Sequence, residues 1–543
     1  MTDISIANAK KNYGFKNVLD DFALEVTSGE KIGLIGPNGC GKTTLFKLIT
    51  KEENLDAGSI SIRKGANVRL LSQIPPVVSD SCTVKDILTR NVKDIFEIEA
   101  LMKDLEEQMA AAEPDKLEQI LDRYGKLQTR FMDLDGYAVD SKISELCNKF
   151  RISEDMLNRK FNTLSGGEKT IVNLASIMLS NPDVLLLDEP TNNLDIDTLE
   201  WLESYLKSYT GTIILCSHDR YFLDKVVSKI VLIERGKSEI FFGNYSYYLK
   251  ENERRILAEF EQYKDQQKMI EAMKRKIKQL QEFGKLAYPG GESFFKRAAS
   301  IQKRLDKMEL LEKPETTKEI PLNFQMNDRS GKQVLMVRDF DLSVANKNLL
   351  NQVSFDVVFK DRTCLMGKNG SGKSTLIKYI MNLYENEQDD NNIRIGSNVS
   401  IGYIPQTITF EDDNATILET ARKSYYGSET HLRASLAKFM FNGENVFKRV
   451  GTLSGGEKVR LKLFELMQRN VNLLIMDEPT NHIDITTQEV LEEALKEYPG
   501  TILFISHDRY FINEIAQKIL YIENKGIKEY LGNYDDYINK SKI

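Results

Sequence analysis

Cysteine is scarce here and scattered. Five occur in 543 residues, at positions 40, 82, 147, 216 and 364, with no CxxC pair among them. That excludes a disulfide framework and the spacings of zinc or haem sites, and it leaves simple thiols of a reducing, cytoplasmic compartment. Long hydrophobic runs are also missing. The longest, such as DVLLLDE, are of strand length, whereas a membrane span needs about 18 or more apolar residues. The N-terminal MTDISIANAKKNYG has no apolar core of signal-peptide type, so no secretory leader is expected. Positive charge is not in excess: 74 Lys and Arg stand against 81 Asp and Glu, a net charge of −7. A wholly basic nucleic-acid binder is thereby excluded, but a local basic patch is not. The 41 % hydrophobic and 29 % charged content is that of a globular protein, and the length allows roughly three or four domains.

What the chain does contain is an internal repeat. GPNGCGKTT at 36–44 returns as GKNGSGKST at 367–375, and TLSGGEK at 163–169 returns as TLSGGEK at 452–458. DVLLLDEPTNNLDI (183–196) answers NLLIMDEPTNHIDI (472–485), SHDRYF (217–222) answers SHDRYF (506–511), and FFGNYSYYL (241–249) answers YLGNYDDYI (530–538). Matched blocks in one order mean a duplicated domain. The halves differ in one insertion. Gln73 to Ser165 spans 92 positions and Gln406 to Ser454 spans 48, so the first half carries 44 extra residues, around 90–135. Apolar residues at helical spacing on both sides of Pro114 predict a helical-hairpin arm, acidic with 7 Lys/Arg against 12 Asp/Glu.

The stretch between the halves has its own pattern. Ile270, Met273, Ile277 and Leu280 follow a three-four-three spacing, and so do Ala298, Ile301, Leu305 and Met308, on either side of Pro289-Gly290-Gly291. Two apolar seams around one turn predict an antiparallel coiled-coil hairpin rather than a loose tether. The expected organisation is a first domain at 1–249, a helical linker at 250–315 with its tip near 283–295, and a second domain at 330–543. The fold class is α/β.

GxxxxGK[ST] between a strand and a helix is a phosphate-binding loop. EKIGLIG and DRTCLMG read as the strands, KTTLFKLI and KSTLIKYI as the helices. In the first loop, Gly36, Pro37, Asn38, Gly39, Cys40, Gly41, Lys42, Thr43 and Thr44 would wrap the phosphates. In the second, Gly367, Lys368, Asn369, Gly370, Ser371, Gly372, Lys373, Ser374 and Thr375 would do so. Backbone N–H groups and the helix N-terminus supply the cradle. Lys42 and Lys373 reach the β- and γ-phosphates, while Thr43 and Ser374 take Mg²⁺. Two apolar strands end in acid pairs. Asp188 and Asp477 fit the metal side, leaving Glu189 and Glu478 to polarise the attacking water. His218 and His507, two of only four histidines, hold equivalent repeat positions suited to a γ-phosphate contact. Cys40 is either a packing residue or a thiol made acidic by the helix N-terminus.

LSGGE beside LLDEPTNNLD resembles the ABC-type ATPases. The resemblance implies that each LSGGE loop closes on ATP held by the other half, so that one chain folds on itself as an intramolecular dimer. One composite site would join Lys42, Thr43, Gln73, Asp188, Glu189 and His218 to Ser454, Gly455 and Gly456. The other would join Lys373, Ser374, Gln406, Asp477, Glu478 and His507 to Ser165, Gly166 and Gly167. The family also places an aromatic ring against adenine. Tyr13 holds that position, as the stacking ring or as a plain loop aromatic. Val344 stands opposite it in the second half, leaving weaker stacking there or Phe340 as a substitute.

With its one-sided arm and its helical linker, the chain resembles most the ABC-F group of ribosome-associated ATPases. That resemblance implies a linker that enters the ribosomal tRNA exit site, with rRNA and P-site tRNA as partners and no membrane domain. Its service is either antibiotic resistance by ribosomal protection or the housekeeping rescue of stalled ribosomes. Charge agrees: Lys264 to Arg304 holds 11 Lys/Arg against 4 Asp/Glu. Lys274, Arg275, Lys276, Lys278, Lys285, Lys296 and Arg297 can follow a phosphate backbone. Tip aromatics Phe283, Tyr288, Phe294 and Phe295 either stack on bases or pack on one another. Two other classes compete. The fused ATPase half of a transporter would carry a groove for a membrane partner, and a DNA-repair ATPase would carry far longer coiled coils or zinc cysteines.

Overall fold

A computed structural model describes the chain except residues 15, 73–77, 112–113, 151, 193, 288–289, 312–328, 345–346, 389, 482 and 542–543. Gln73, Tyr288 and Pro289 therefore lie outside the described residues. Two compact units result. One comprises Met1–Asn244 with Leu322–Ile543, and the other is Tyr245–Pro321.

The larger unit holds both halves of the repeat. In the first half, strands β1 (Thr2–Tyr13), β2 (Lys16–Thr27) and β4 (Ala57–Ile62) form an antiparallel sheet with β1 in the middle. A second sheet is built from β3 (Lys31–Ile35), β5 (Val68–Leu71), β6 (Val184–Asp188), β7 (Thr212–Cys216), β8 (Lys229–Glu234) and β9 (Lys237–Phe241). Its order is β5-β6-β7-β3-β8-β9, parallel apart from the edge strand β9. Every residue of β6 and β7 is buried, as continuous apolar strands in the middle of a parallel sheet must be. The helix Lys42–Ile49 joins the sheets. Its Leu45, Phe46, Leu48 and Ile49 share one core with Ile4 and Phe22 of the antiparallel sheet and Leu34 and Ile214 of the parallel one.

The second half repeats this plan. β10 (Gln333–Val344) pairs with β11 (Lys347–Val358) and β13 (Ile393–Ile395). The sheet of β12 (Arg362–Gly367), β14 (Ile401–Ile404), β15 (Leu473–Asp477), β16 (Thr501–Ile505), β17 (Lys518–Glu523) and β18 (Gly526–Leu531) runs β14-β15-β16-β12-β17-β18. Only the first half carries the arm, two helices at Lys93–Ala111 and Pro114–Asp133. Pro114 sits at the first helical position, where its missing N–H costs nothing. Tyr124 ties the helices together by donating its hydroxyl to Glu106 Oε1 at 2.8 Å.

The smaller unit is a helical hairpin. A helix of 42 residues, Tyr245–Leu286, folds back into Glu292–Asp306. Ile270, Ile277 and Ala298 are buried and Met273, Leu280, Ile301, Leu305 and Met308 half-buried, so the predicted seam is the packed one. Gln266 closes the base: its Nε2 donates to the Glu309 carbonyl at 2.8 Å and its Oε1 accepts from Leu311 N at 2.9 Å. The tip is tight. A Cβ on Gly291 would fall 2.1 Å from the Gly284 carbonyl oxygen, so only glycine allows this approach. The Phe295 ring lies against Gly284, and the Phe283 and Phe294 rings are 6.2 Å apart. Self-packing thus engages all three aromatics, yet Phe283 and Phe295 stay 46 % and 41 % exposed. Among the described residues no helix is long and apolar enough to cross a membrane.

Candidate active sites

Each phosphate loop begins where a buried strand ends. After β3 the chain turns at Gly36 (φ 149°) and Gly41 (φ 110°). After β12 it turns at Gly367 (φ 153°) and Gly372 (φ 101°). A Cβ on Gly41 would lie 2.6 Å from Val18 Cγ1, so the turn excludes other residues on both conformational and packing grounds. Lys42 Nζ folds into its own loop and donates to the carbonyls of Gly36 (2.7 Å) and Pro37 (3.2 Å). Lys373 Nζ does the same to Gly367 (2.7 Å) and Lys368 (3.1 Å). Both lysines are buried, and burial pushes the Lys373 pKa down. A buried cation held by loop carbonyls suits an anionic ligand. The Cys40 side chain packs toward Gly36, against the core of the first half.

The acid pairs sit as the repeat requires. Thr43 Oγ1 donates to Asp188 Oδ2 at 2.8 Å, and Ser374 Oγ donates to Asp477 Oδ1 at 3.0 Å. Glu189 and Glu478, one residue on, take left-handed φ values of 53° and 50°, a strained conformation for a side-chain residue. Each carboxylate is met by a histidine. His218 N donates to Glu189 Oε2 at 3.3 Å and its Nε2 lies 3.3 Å from Oε1. For His507 and Glu478 the distances are 3.2 and 3.4 Å. Burial raises both glutamate pKa values to about 7. It lowers that of His507 to about 3, helped by the charge of Lys373, so this imidazole stays neutral.

Both LSGGE loops are helix caps. Ser165 Oγ accepts from Glu168 N at 3.3 Å while Glu168 Oε2 accepts from Ser165 N at 2.8 Å, opening the helix Gly166–Leu179. Ser454 and Glu457 form the same box at 3.3 and 2.9 Å, opening Gly455–Gln468. The cap uses each serine oxygen as an acceptor, which leaves its hydroxyl proton for another partner.

The halves meet at these sites through residues that no motif had singled out. Asp484 Oδ2 accepts from Asn38 N of the first phosphate loop at 3.2 Å. Asp195 accepts from the backbone of Asn369 in the second loop, and Lys368 Nζ lies 3.5 Å from Asp197. Asp484 also caps the helix Ile485–Glu497 through Thr487 N at 2.9 Å. Gly456 packs on Thr487 and Ile483, where an added Cβ would come within 3.3 and 3.4 Å. The second LSGGE loop therefore shares one packed cluster with the aspartate that touches the first phosphate loop. The signal was present: both aspartates stand in the repeated LDI and IDI of the DEPTN blocks.

The aromatic positions fall at matching hairpin ends, Tyr13 opposite Lys16 and Val344 opposite Lys347. Tyr13 is 46 % exposed, with its hydroxyl bonded to Glu53 and near Thr44. Phe340 does not fill the gap left by Val344. It is 5 % exposed, inside the core, with its ring centroid 5.1 Å from that of Tyr379, because it sits four residues back along β10 on the inward face. Gln406 is exposed just beyond β14. In the hairpin unit, Lys274, Arg275, Lys276, Lys278, Lys285, Lys296 and Arg297 all point to solvent.

Two phosphate loops, two strand-end acid pairs and two LSGGE caps, locked head to tail, define a tandem ABC-type ATPase. The ABC transporter family model matches residues 19–192 and 350–481, and a further model of the same description covers 231–324. YdiF of Bacillus subtilis (strain 168) is 40 % identical over 99 % of this chain and 83 % of its own length. ABC transporter F family member 2 of Arabidopsis thaliana is 36 % identical over 99 % and 79 %. The fold is shared with an archaeal ribosome recycling factor, aABCE1, solved in complex with the ribosomal stalk protein aP1. There the TM-score is 0.62 at 15 % identity, over 98 % of this chain and 92 % of that one. The chain belongs to the ABC-F family, whose members are ATPases.

Proposed function

We propose that ATP is bound and hydrolysed at both composite sites, each completed by the other half. The loops 36–44 and 367–375 hold the phosphates, with Lys42 and Lys373 inside the cradle. The hydroxyl and carboxylate oxygens of Thr43 with Asp188, and of Ser374 with Asp477, are the hard ligands Mg²⁺ prefers, and their pairing at 2.8 and 3.0 Å fits that ion. Bound there, Mg²⁺ would neutralise charge on the β- and γ-phosphates. Glu189 and Glu478 take the proton of the attacking water, while His218 and His507 orient those carboxylates and meet the γ-phosphate. Ser165, Gly166 and Gly167, and Ser454, Gly455 and Gly456, cover the γ-phosphate from the opposite half. Gln73 and Gln406 join their respective sites, and Tyr13 stacks on adenine at the first. ATP favours the closed form and hydrolysis releases it.

The target of this cycle is the ribosome. The observation that carries the reading is the local charge of +7 between Lys264 and Arg304, borne on a packed helical hairpin in a chain of net charge −7. Exposed cations along paired helices can track RNA phosphates. Membership of the ABC-F family, and the fold shared with an archaeal ribosome recycling factor, support the same target. The hairpin occupies the tRNA exit site beside P-site tRNA, and its tip protects the peptidyl-transferase centre from antibiotics. One feature favours a housekeeping role instead: only residues 287–291 separate the two helices, a short tip with little to insert into a drug site.

A purified bacterial translation system, titrated with drugs of the peptidyl-transferase centre, separates the readings. Rescue that needs ATP and residues 284–295 establishes protection. Block of synthesis by the Glu189→Gln, Glu478→Gln protein without drug rescue establishes the housekeeping role. No effect of either protein, and no ribosome co-sedimentation, overturns the ribosomal target.

A further inference from the structure

The SHDR blocks continue past the histidines into an unusual contact. Asp219 caps the short helix Arg220–Val226 by accepting from Phe222 N at 2.9 Å, and Asp508 caps Arg509–Ile515 in the same way at 3.0 Å. The first helical residue after each cap is an arginine that is almost wholly buried, 2 % exposed for Arg220 and 0 % for Arg509. Both reach a carboxylate of the opposite half. Arg220 makes a two-pronged contact with Glu492 of the second half, one prong bonding Oε1 and the other reaching Oε2 at 3.3 Å. Arg509 bonds Glu203 of the first half and reaches Asp219 Oδ2 at 3.3 Å. Each guanidinium also lies over a tyrosine of the opposite half: Arg220 is 3.8 Å from the Tyr510 centroid and Arg509 is 4.7 Å from that of Tyr221.

The arrangement has near-twofold symmetry, and these contacts all cross between the halves. Glu203 and Glu492 are themselves buried. Both guanidiniums are thus held inside the contact between the halves and not at its exposed edge, where an ion pair contributes little. This contact region ties the position of one half to that of the other. It is also two residues from each histidine of the proposed sites, so a shift of one half moves the histidine of the other.

We propose that Arg220 and Arg509 are positioning residues that form a buried axle between the halves, so that hydrolysis at each ATP site depends on the opposite half through the histidine next to it. The proposal rests on the reading of His218 and His507 as γ-phosphate contacts.

The test uses the full chain and steady-state phosphate release with one site silenced. In the Glu478→Gln background only the first site, the one with His218, turns over. Adding Arg220→Lys keeps the charge but removes the two-pronged contact with Glu492 of the second half. It is expected to lower the first-site kcat at least tenfold with KM changed less than twofold. Glu492→Gln, a change in the opposite half, is expected to do the same, read at a temperature where circular dichroism shows the variant folded. Unchanged kcat in both variants overturns the proposal. So does a loss of activity that follows only the loss of folded protein in both. Turnover persisting in the Glu189→Gln, Glu478→Gln control would instead mean that the site reading itself has failed.

Discussion

Cys216 Sγ donates to Glu189 Oε1 at 3.3 Å, and Ile505, which stands at the matching position, has no donor to offer Glu478. Both residues end the strand beside their acid pair, Cys216 across from Asp188 and Ile505 across from Asp477. The two active sites are therefore built alike but not identically. Replacing Cys216 by Ile in the Glu478→Gln background should slow the first site roughly fivefold, the worth of about 1 kcal/mol of hydrogen bonding, with KM unchanged. In the Glu189→Gln background the same change should leave phosphate release as it was.

Glu189→Gln with Glu478→Gln should abolish turnover while ATP still binds. Loss of a general base costs roughly 10²- to 10⁴-fold. Single-turnover phosphate release, paired with fluorescent-nucleotide binding, reads both quantities. Wild-type turnover in the double variant would remove the glutamates from the mechanism.

Tyr13 and Val344 occupy matching hairpin ends, and only one is aromatic. Tyr13→Ala should weaken nucleotide binding at the first site by about 1 kcal/mol, the scale of an aromatic stacking contact, or roughly fivefold in Kd. Val344→Ala should change the second site little, and Val344→Tyr should tighten it. Equilibrium titration with each site silenced in turn checks all three.

Reversing the charge of Lys274, Arg275 and Lys276 should weaken ribosome co-sedimentation and flatten its salt dependence. Each lost phosphate contact removes about 0.7–0.9 from the slope of log K against log salt. An unchanged slope would mean that these cations only solvate the helix.

Gly291→Ala should loosen the hairpin tip, since the added carbon would collide with the Gly284 carbonyl at 2.1 Å. Overpacking of this kind costs about 1–3 kcal/mol. Faster amide exchange around 284–295, with basal ATPase activity kept, is the expected result.

The phosphate loops, the acid pairs and the LSGGE caps were legible in the sequence because each is local. A strand, a glycine turn and a helix start fix the spacing of every loop group proposed to touch phosphate, and duplication writes that spacing twice. The hairpin seam was legible for a similar reason: a three-four-three apolar period has one packed solution in a helix pair. Register in the antiparallel sheet was not. Phe340 was available on paper as a stacking ring, but it lies inside β10 in the core beside Tyr379, while Val344 stands exposed at the hairpin end beyond the register shifts of that strand.

The sequence by itself determined the two catalytic units, their chemistry and the helical linker between them, since all rest on short-range spacing. Only the tertiary structure decided how the units hold each other: Asp484 on Asn38, Arg220 on Glu492, Arg509 on Glu203. These partners lie 446, 272 and 306 residues apart, and no local pattern encodes which buried charge will meet which. Burial makes the choice, because a charge removed from water must find a partner wherever the fold brings one.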